Sequence, residues 1–192
     1  MPEGKIIVIS APSGCGKSTI IHSILDSGKI SLSFSVSATN RPPREGEQHG
    51  VHYYFLDTDE FKSLASQGKF IEWEEVYPGR FYGTLCSEVD RQIAEGRNVI
   101  LDIDVKGALN VKKLYGDKAL TIFIKPPSIG ELRRRLENRG TDSPEVIDVR
   151  LAKAEYEMSF APEFDCTVVN DNLDLAVNQT AAVISQFIAK QA

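Results

Sequence analysis

The sequence predicts an α/β protein built on a mostly parallel sheet, and three observations predict it. Lys5 to Ser10 is a short β-branched run that passes through a glycine-containing loop into Lys17 to Asp26, where Ile20, Ile21, Ile24 and Leu25 recur at helical spacing. Asn98 to Leu101 reads as a buried strand with helical patterns on both sides, Leu85, Val89 and Ile93 before it and Ala108, Leu109 and Val111 after it. Ala119 to Ile124 and Thr167 to Val169 supply further strands. Strands that alternate with helices return to a parallel sheet through right-handed crossovers.

Between the first helix and Leu85 the pattern changes. Ser33 to Ala38, Val51 to Phe55 and Phe70 to Val76 read as strands, with a short helix at Asp59 to Ser66, so residues 33–84 form a small mixed-β insertion. Alternation along Ser33 to Ala38 puts Phe34 and Val36 on one face and Ser33, Ser35 and Ser37 on the other, a polar face open to a ligand. Ser128 with Glu131 reads as a capping box opening a helix to Arg139. Ser143 caps the next helix, with Pro144 at its first position, and Gly140-Thr141-Asp142 between the two reads as a hinge. Asn172 caps a final helix whose apolar stripe is Leu173, Val177, Ala181, Ile184 and Ile188.

Composition narrows the function. The chain has 192 residues, 42% hydrophobic and 26% charged, which suits one globular unit with insertions. No apolar run approaches the roughly 20 residues of a membrane span, and the N-terminal residues lack a signal-peptide pattern, so a cytosolic protein is expected, away from membranes. Cys15, Cys86 and Cys166 are widely spaced without a CxxC, which suggests neither a disulfide framework nor a zinc site. A net charge of −5 excludes general nucleic-acid binding by a basic surface. Phosphate chemistry, if present, must be local.

Ala11-Pro-Ser-Gly-Cys-Gly-Lys-Ser18 supplies it. This is the Walker A spacing with Ala11 in place of the first glycine, set between a predicted strand and a predicted helix. Consecutive amides from Ser13 through Gly14, Cys15 and Gly16 to Thr19 can curl around phosphate oxygens at a helix N-terminus. Lys17 is then expected at the β- and γ-phosphates of ATP, and the Ser18 hydroxyl on Mg²⁺. A glycine-rich turn entering a helix is the plain structural alternative.

Beyond this loop, nearly the whole chain resembles the guanylate kinase family. The resemblance is carried by Ala11 to Thr19; by Ser37-Ala-Thr-Asn-Arg-Pro-Pro-Arg44 with Gly46-Glu47 and Tyr53; by Phe70-Ile-Glu-Trp73 with Tyr82-Gly83-Thr84; and by Leu101-Asp-Ile-Asp104. Arg135-Leu-Glu-Asn-Arg-Gly-Thr141, Arg150-Leu151 and Val169-Asn-Asp171 extend it. The resemblance implies a P-loop NTPase core with a parallel sheet (1–32, 85–125 and 151–192), a GMP-binding insertion (33–84) and a helical lid (126–150). It implies transfer of the γ-phosphoryl group of ATP to GMP, with Mg²⁺ as cofactor and ATP and GMP as the small-molecule partners; monomer and homo-oligomer stay open.

The same resemblance sets the guanine against Ser37, Glu72 and Asp102. A carboxylate suits guanine because N1–H and the N2 amine both donate, whereas adenine offers it a bare N1 acceptor. Glu72 on the solvated face of a strand, opposite Ile71 and Trp73, is the alternative from the residues alone. Arg41, Arg44, Tyr53, Tyr82 and Thr84 match acceptor-site residues, the two arginines able to fork onto a phosphate dianion. Asp102 and Asp104 share a face at the end of a buried strand; Asp104 is expected to orient arginines or the Mg²⁺ hydration shell. Lys106 stands where the family pattern has glutamine. Arg139 and Arg150 are implied at the ATP phosphates, Arg135 near the adenine or the phosphates, and Asn170 at the adenine. Residues 131 to 150 also hold five acids, so surface ion pairing competes as an account of these arginines. Two other functions fit parts of the pattern: a non-catalytic protein-binding module of this fold, and a related sugar-phosphate kinase. Complete Lys17, Ser18, Arg139 and Arg150 speak against the first, and Ser37, Glu72 and Asp102 together with Tyr53 against the second.

Overall fold

The computed structural model describes residues 3–140 and 142–190, with the backbone alone at Arg139. The chain divides into two compact units, residues 1–6 with 33–101, and residues 7–32 with 102–192. Thr141, the centre of the expected hinge, lies outside the described residues.

In the second unit, β1 (Ile6–Ser10, which begins at the end of the first) is buried along its whole length, as a central strand of Ile and Val from Ile6 to Ile9 should be, with Ser10 buried at its end. It leads through the glycine loop into α1 (Lys17–Asp26), whose buried line is Ile20, Ile21 and Ile24. β8 (Ala119–Lys125) lies next to β1 and pairs in parallel with β9 (Cys166–Val169). The helices are α4 (Val105–Tyr115), α5 (Ile129–Arg139), α6 (Pro144–Met158) and α7 (Leu173–Ala189). Their N-termini follow the local chemistry. Ser128 Oγ accepts from Glu131 N at 3.1 Å, Ser143 Oγ from Val146 N, and Asn172 Oδ1 from Leu175 N at 3.0 Å.

Two expectations change here. The capping box at Ser128 is half formed, because the Glu131 carboxylate turns to Arg134 and Arg135 instead of its own helix start. On α7 the buried residues are Ala176, Thr180 and Ile184, while Leu173 is exposed. Of the expected stripe Ile184 is buried and Val177, Ala181 and Ile188 are half-buried, so the apolar face is centred on Ala176, Thr180 and Ile184 and leaves Leu173 out. Thr180 is tolerated there because its hydroxyl donates back to Ala176 O at 2.7 Å.

In the first unit, β2 (Ser33–Phe34) pairs in parallel with β7 (Val99–Asp102) at Ser33–Val99 and Phe34–Ile100. Lys5 O accepts from Val99 N on the same strand at 2.8 Å. A second sheet has the order β4 (Tyr54–Phe55), β3 (Ala38–Thr39), β6 (Arg80–Leu85), β5 (Phe70–Tyr77). α2 (Thr58–Ser66) packs Phe61 between Phe70 and Phe81, with ring centroids 4.5 and 5.6 Å away. α3 (Cys86–Ala94) follows β6 directly.

The single strand expected over Ser33 to Ala38 is two, β2 in one sheet and β3 in the other, with Ser35 to Ser37 between them. The change of sheet breaks the alternation. Phe34 is exposed and the Ser35 hydroxyl is buried. β6 was not anticipated as a strand, since Gly83 interrupts its pattern, yet it is the hub of the second sheet, pairing with both β3 and β5.

Candidate active site

The second unit assembles the glycine loop. Gly14 and Gly16 have φ of 92° and 83°, left-handed values that residues with a Cβ rarely adopt. A side chain would crowd its neighbours as well: a Cβ on Gly16 would lie 2.5 Å from Asn170 Nδ2, and one on Gly14 2.9 Å from Leu136 Cδ2, so those side chains would have to move. Cys15 faces inward and packs with Leu132, Leu136 and Ile147, so its side chain anchors the loop, while its amide donates to Pro12 O at 3.2 Å and closes the turn. Gly16 caps α1 without a side chain, and no acid lies in the first turn, which leaves the positive end of the helix to an external anion. Ser13, Ser18 and Thr19 are exposed around it.

Lys17 Nζ lies 2.5 Å from Asp102 Oδ1. Asp102, expected against the guanine, is thus joined to the loop lysine. Asp104 caps α4, accepting from Gly107 N at 2.7 Å. Glu157 of α6 is a buried carboxylate nearby: burial pushes its pKa upward, against the pull of Lys153 and Lys17 and with the repulsion of Asp104.

Asn170, at the end of β9, donates through Nδ2 to Cys15 O at 2.8 Å and so ties that strand to the loop. Arg135 is held from two sides, Nε donating to Glu131 Oε1 at 2.8 Å and Nη1 to Asn170 O at 2.9 Å. Arg134 and Arg135 together hold the Glu131 carboxyl down at about 2. Gly16, Thr19, Arg135, Asn138, Asn170 and Leu173 are among the residues that line a cavity of about 370 Å³. Arg150 Nη1 lies 3.2 Å from Asp142 Oδ2. The Arg139 side chain is outside the described residues; its backbone ends α5, followed by Gly140 in the left-handed region at φ 64°.

The first unit gathers Ser37, Arg41, Arg44, Tyr53, Glu72, Tyr82 and Thr84 on or beside its mixed sheet. β5 and β6 set Glu72 opposite Thr84, whose Oγ1 donates to Glu72 Oε1 at 2.6 Å. A register shift between Phe70 and Glu72 breaks the simple alternation: Ile71 is buried, Glu72 half-buried and Trp73 largely exposed. Glu72 is therefore not on a solvated face opposite two core residues. The neighbouring Gly83 is required, since a Cβ there would lie 2.7 Å from Glu72 O and 2.8 Å from Trp73 Cβ.

Arg41 forks onto Glu47, Nη1 to Oε2 at 2.6 Å and Nη2 to Oε1 at 2.7 Å, and Arg44 N donates to the same carboxylate at 2.7 Å. The Arg41 hydrogen bond and the Arg44 amide hold the Glu47 carboxyl at about 2. The Arg41 guanidinium lies 5.0 Å from the Tyr53 ring centre, and Tyr53 meets Tyr82 edge-on at 6.0 Å. Asn40 locks the base of this loop: Nδ2 donates to Thr58 Oγ1 and Gly79 O, and Oδ1 accepts from Phe81 N, each at 2.8 Å.

Sequence reasoning did not assign roles to Glu47, Asn40 or Asn138, and gave Glu131 to the helix cap rather than to Arg135. Glu47 carried a usable signal, an acid six residues from Arg41 across a Pro-Pro turn. Asn40 and Asn138 had none, because their partners or neighbours come from distant stretches.

The comparisons with known proteins agree with this layout. The family model described as guanylate kinase matches residues 3–187. A guanylate kinase of Bacteroides fragilis is 56% identical over 186 residues, covering 97% of this chain and 91% of the relative. One of Porphyromonas gingivalis is 54% identical, covering 97% and 99%. The crystal structure of guanylate kinase from Anaplasma phagocytophilum superposes with a TM-score of 0.71 at 31% identity, covering 100% of this chain and 89% of that one. The SH3-kinase fragment of tight junction protein 3 shares the fold alone, with a TM-score of 0.54 at 10% identity over 98% of this chain and 59% of the other. A glycine loop, an acid-paired loop lysine and a full-length match at more than half identity together place the chain in the guanylate kinase family.

Proposed function

We propose that the chain transfers the γ-phosphoryl group of ATP to GMP, giving ADP and GDP, with Mg²⁺ as cofactor and in the cytosol. The observation that carries the reading is the intact phosphate loop, with left-handed Gly14 and Gly16 and Lys17 held beside Asp102. Residues 33–84 take the acceptor and residues 126–150 act as the lid.

On the donor side, loop amides and the α1 N-terminus take the β- and γ-phosphates, and Lys17 adds a point charge. Arg135 and Asn170 border the adenine, and Arg139 and Arg150 the phosphates. The Ser18 hydroxyl, with Asp102 close to the loop, offers the hard oxygen donors that Mg²⁺ prefers. When bound, the ion neutralises charge on the β- and γ-phosphates.

On the acceptor side, Glu72 accepts from guanine N1–H and N2–H while Thr84 holds the carboxylate, and Ser37 donates to O6. Asp102, the other expected guanine contact, pairs with Lys17. Arg41, Arg44, Tyr53 and Tyr82 hold the GMP phosphate. One of its oxygens attacks the γ-phosphorus in line as the bond to the ADP β-phosphate oxygen breaks. That oxygen is already anionic, so no general base is needed. The protein's work is positioning and charge stabilisation by Lys17, Arg139 and Arg150.

Purified protein supplied with ATP, Mg²⁺ and each nucleoside monophosphate in turn tests the reading. ADP should form rapidly with GMP and slowly or not at all with AMP, CMP and UMP. Equal turnover of all four, or none of GMP, would remove it.

A further inference from the structure

Glu88 plays no part in the reaction just described, yet its surroundings are unusual. It is 3% exposed in the first turn of α3. A carboxylate buried this deeply is costly unless its oxygens are fully met. They are met by neighbours along the helix and by one distant group. Arg91 donates to both oxygens at 2.9 to 3.1 Å, and Gln92 Nε2 to Oε1 at 2.6 Å. The distant group is Tyr54, whose hydroxyl donates to Oε2 at 2.7 Å across 34 residues of sequence.

Tyr54 belongs to β4, a strand of two residues, too short to fix its own orientation. β4 is the edge of its sheet, held by Tyr54 N donating to Ser37 O and Leu56 N to Thr39 O, each at 2.9 Å, and from its other side by Gly50 N to Tyr53 O at 2.8 Å and Phe55 N to His49 Nδ1 at 3.1 Å. Tyr53 precedes Tyr54, and its ring lies against Arg41 and Tyr82. Whatever turns the Tyr54 hydroxyl inward therefore also sets where Tyr53 points. The same carboxylate reaches the segment that ends at Ser37, because Gln92 Nε2 also approaches Phe34 O, at 3.3 Å. It sits, too, three residues beyond Leu85, the last residue of the strand that carries Tyr82 and Thr84.

We infer that Glu88 is a positioning residue for the acceptor nucleotide: a buried carboxylate that, through Tyr54 and Gln92, fixes β4 and the Ser37 segment so that Tyr53, Arg41 and Ser37 meet GMP in one arrangement. The inference rests on the acceptor site proposed above. Burial first, then the Glu88 hydrogen bond, raises the Tyr54 pKa, so the phenol keeps the proton it donates.

Steady-state kinetics on Tyr54→Phe and Glu88→Gln, each with GMP and then ATP varied, test it. Tyr54→Phe removes one hydroxyl and should raise KM for GMP about tenfold, the low end of what one hydrogen bond to a charged group is worth. KM for ATP and kcat at saturating GMP should stay within about twofold of wild type. Glu88→Gln should do the same, and the double variant should be no worse than Glu88→Gln, since both remove one link. Phe61→Leu, which loosens the same unit's core without touching this network, separates positioning from general weakening: it should lower Tm and leave KM for GMP in place. An unmoved KM for GMP in Tyr54→Phe, an equal rise in KM for ATP, or a Phe61→Leu variant with the same rise would overturn the inference while leaving wild-type GMP turnover untouched. Loss of GMP turnover from the wild type would instead remove the acceptor site on which it stands.

Discussion

A carboxylate can read guanine only if it is held facing the base, and at Glu72 the Thr84 hydroxyl contributes to that holding. Thr84 fills one lone pair of Oε1 at 2.6 Å, and the lone pairs of an ionised carboxylate can only accept from a ligand. Glu72→Gln keeps the shape and the acceptor oxygen but presents an amide to N1–H or N2–H, so one donor meets another. We expect KM for GMP to rise about 30-fold or more, roughly 2 kcal/mol, with KM for ATP unchanged. Steady-state rates with GMP and ATP varied separately will measure this; an unaltered KM for GMP would detach Glu72 from base recognition. The sequence offered Glu72 as a residue with two readings. Its own alternation favoured a solvated face, and the register shift that half-buries it could not be seen without the partner strand. Asp102 and Asp104 show the same limit differently. The two-residue spacing gave one shared face, but not that one carboxylate meets Lys17 while the other caps the next helix.

Elements whose signals are local were legible, and those defined by their partners were not. α1, α5 and α6 begin where Gly16, Ser128 and Ser143-Pro144 say they should, because a cap is decided within about four residues. β6 was missed and β2–β3 merged, because pairing across two sheets depends on residues tens of positions away. The loop from Arg41 to Glu47 lies between these cases: the arginines and prolines were readable, and the acid that organises them was not assigned. Its energetics follow from proton linkage. Glu47 titrates at about 2 in the folded chain against 4.5 for the free side chain. The unfolded chain therefore takes up the proton first as pH falls. The stabilisation is fully present above about pH 4.5 and fades toward pH 2. Glu131 and Glu88 are also depressed, so acid will weaken the whole protein. The difference between wild type and Glu47→Gln isolates this loop. Urea midpoints should differ most at pH 7, the gap should narrow below about pH 4.5 and close only toward pH 2; a constant gap across that range would mean the Arg41 fork contributes nothing to folding.

At the scale of the molecule, an acidic chain of net charge −5 must hold two anionic nucleotides, and general electrostatic attraction cannot do it. The answer is local. Lys17 is paired with Asp102, Arg41 with Glu47, Arg135 with Glu131 and Arg150 with Asp142. Each acid fixes its cation in place before a ligand arrives, so less ordering remains to be done on binding. The proposed donor cations lie in the second unit, and the proposed acceptor arginines, Arg41 and Arg44, in the first. The two ligands should therefore stabilise the protein separately. A ligand at 100 times its Kd adds about 2.7 kcal/mol, enough to shift a melting curve by several degrees. Wild type should show one shift with Mg–ATP and another with GMP. Lys17→Ala strips the donor charge and leaves Asp102 unpaired beside the phosphates, so the Mg–ATP shift should collapse and transfer should cease. The GMP shift should persist, because no cation of the acceptor loop has been touched. If Lys17→Ala loses both shifts together, or keeps full transfer, the separation of donor and acceptor charge is wrong.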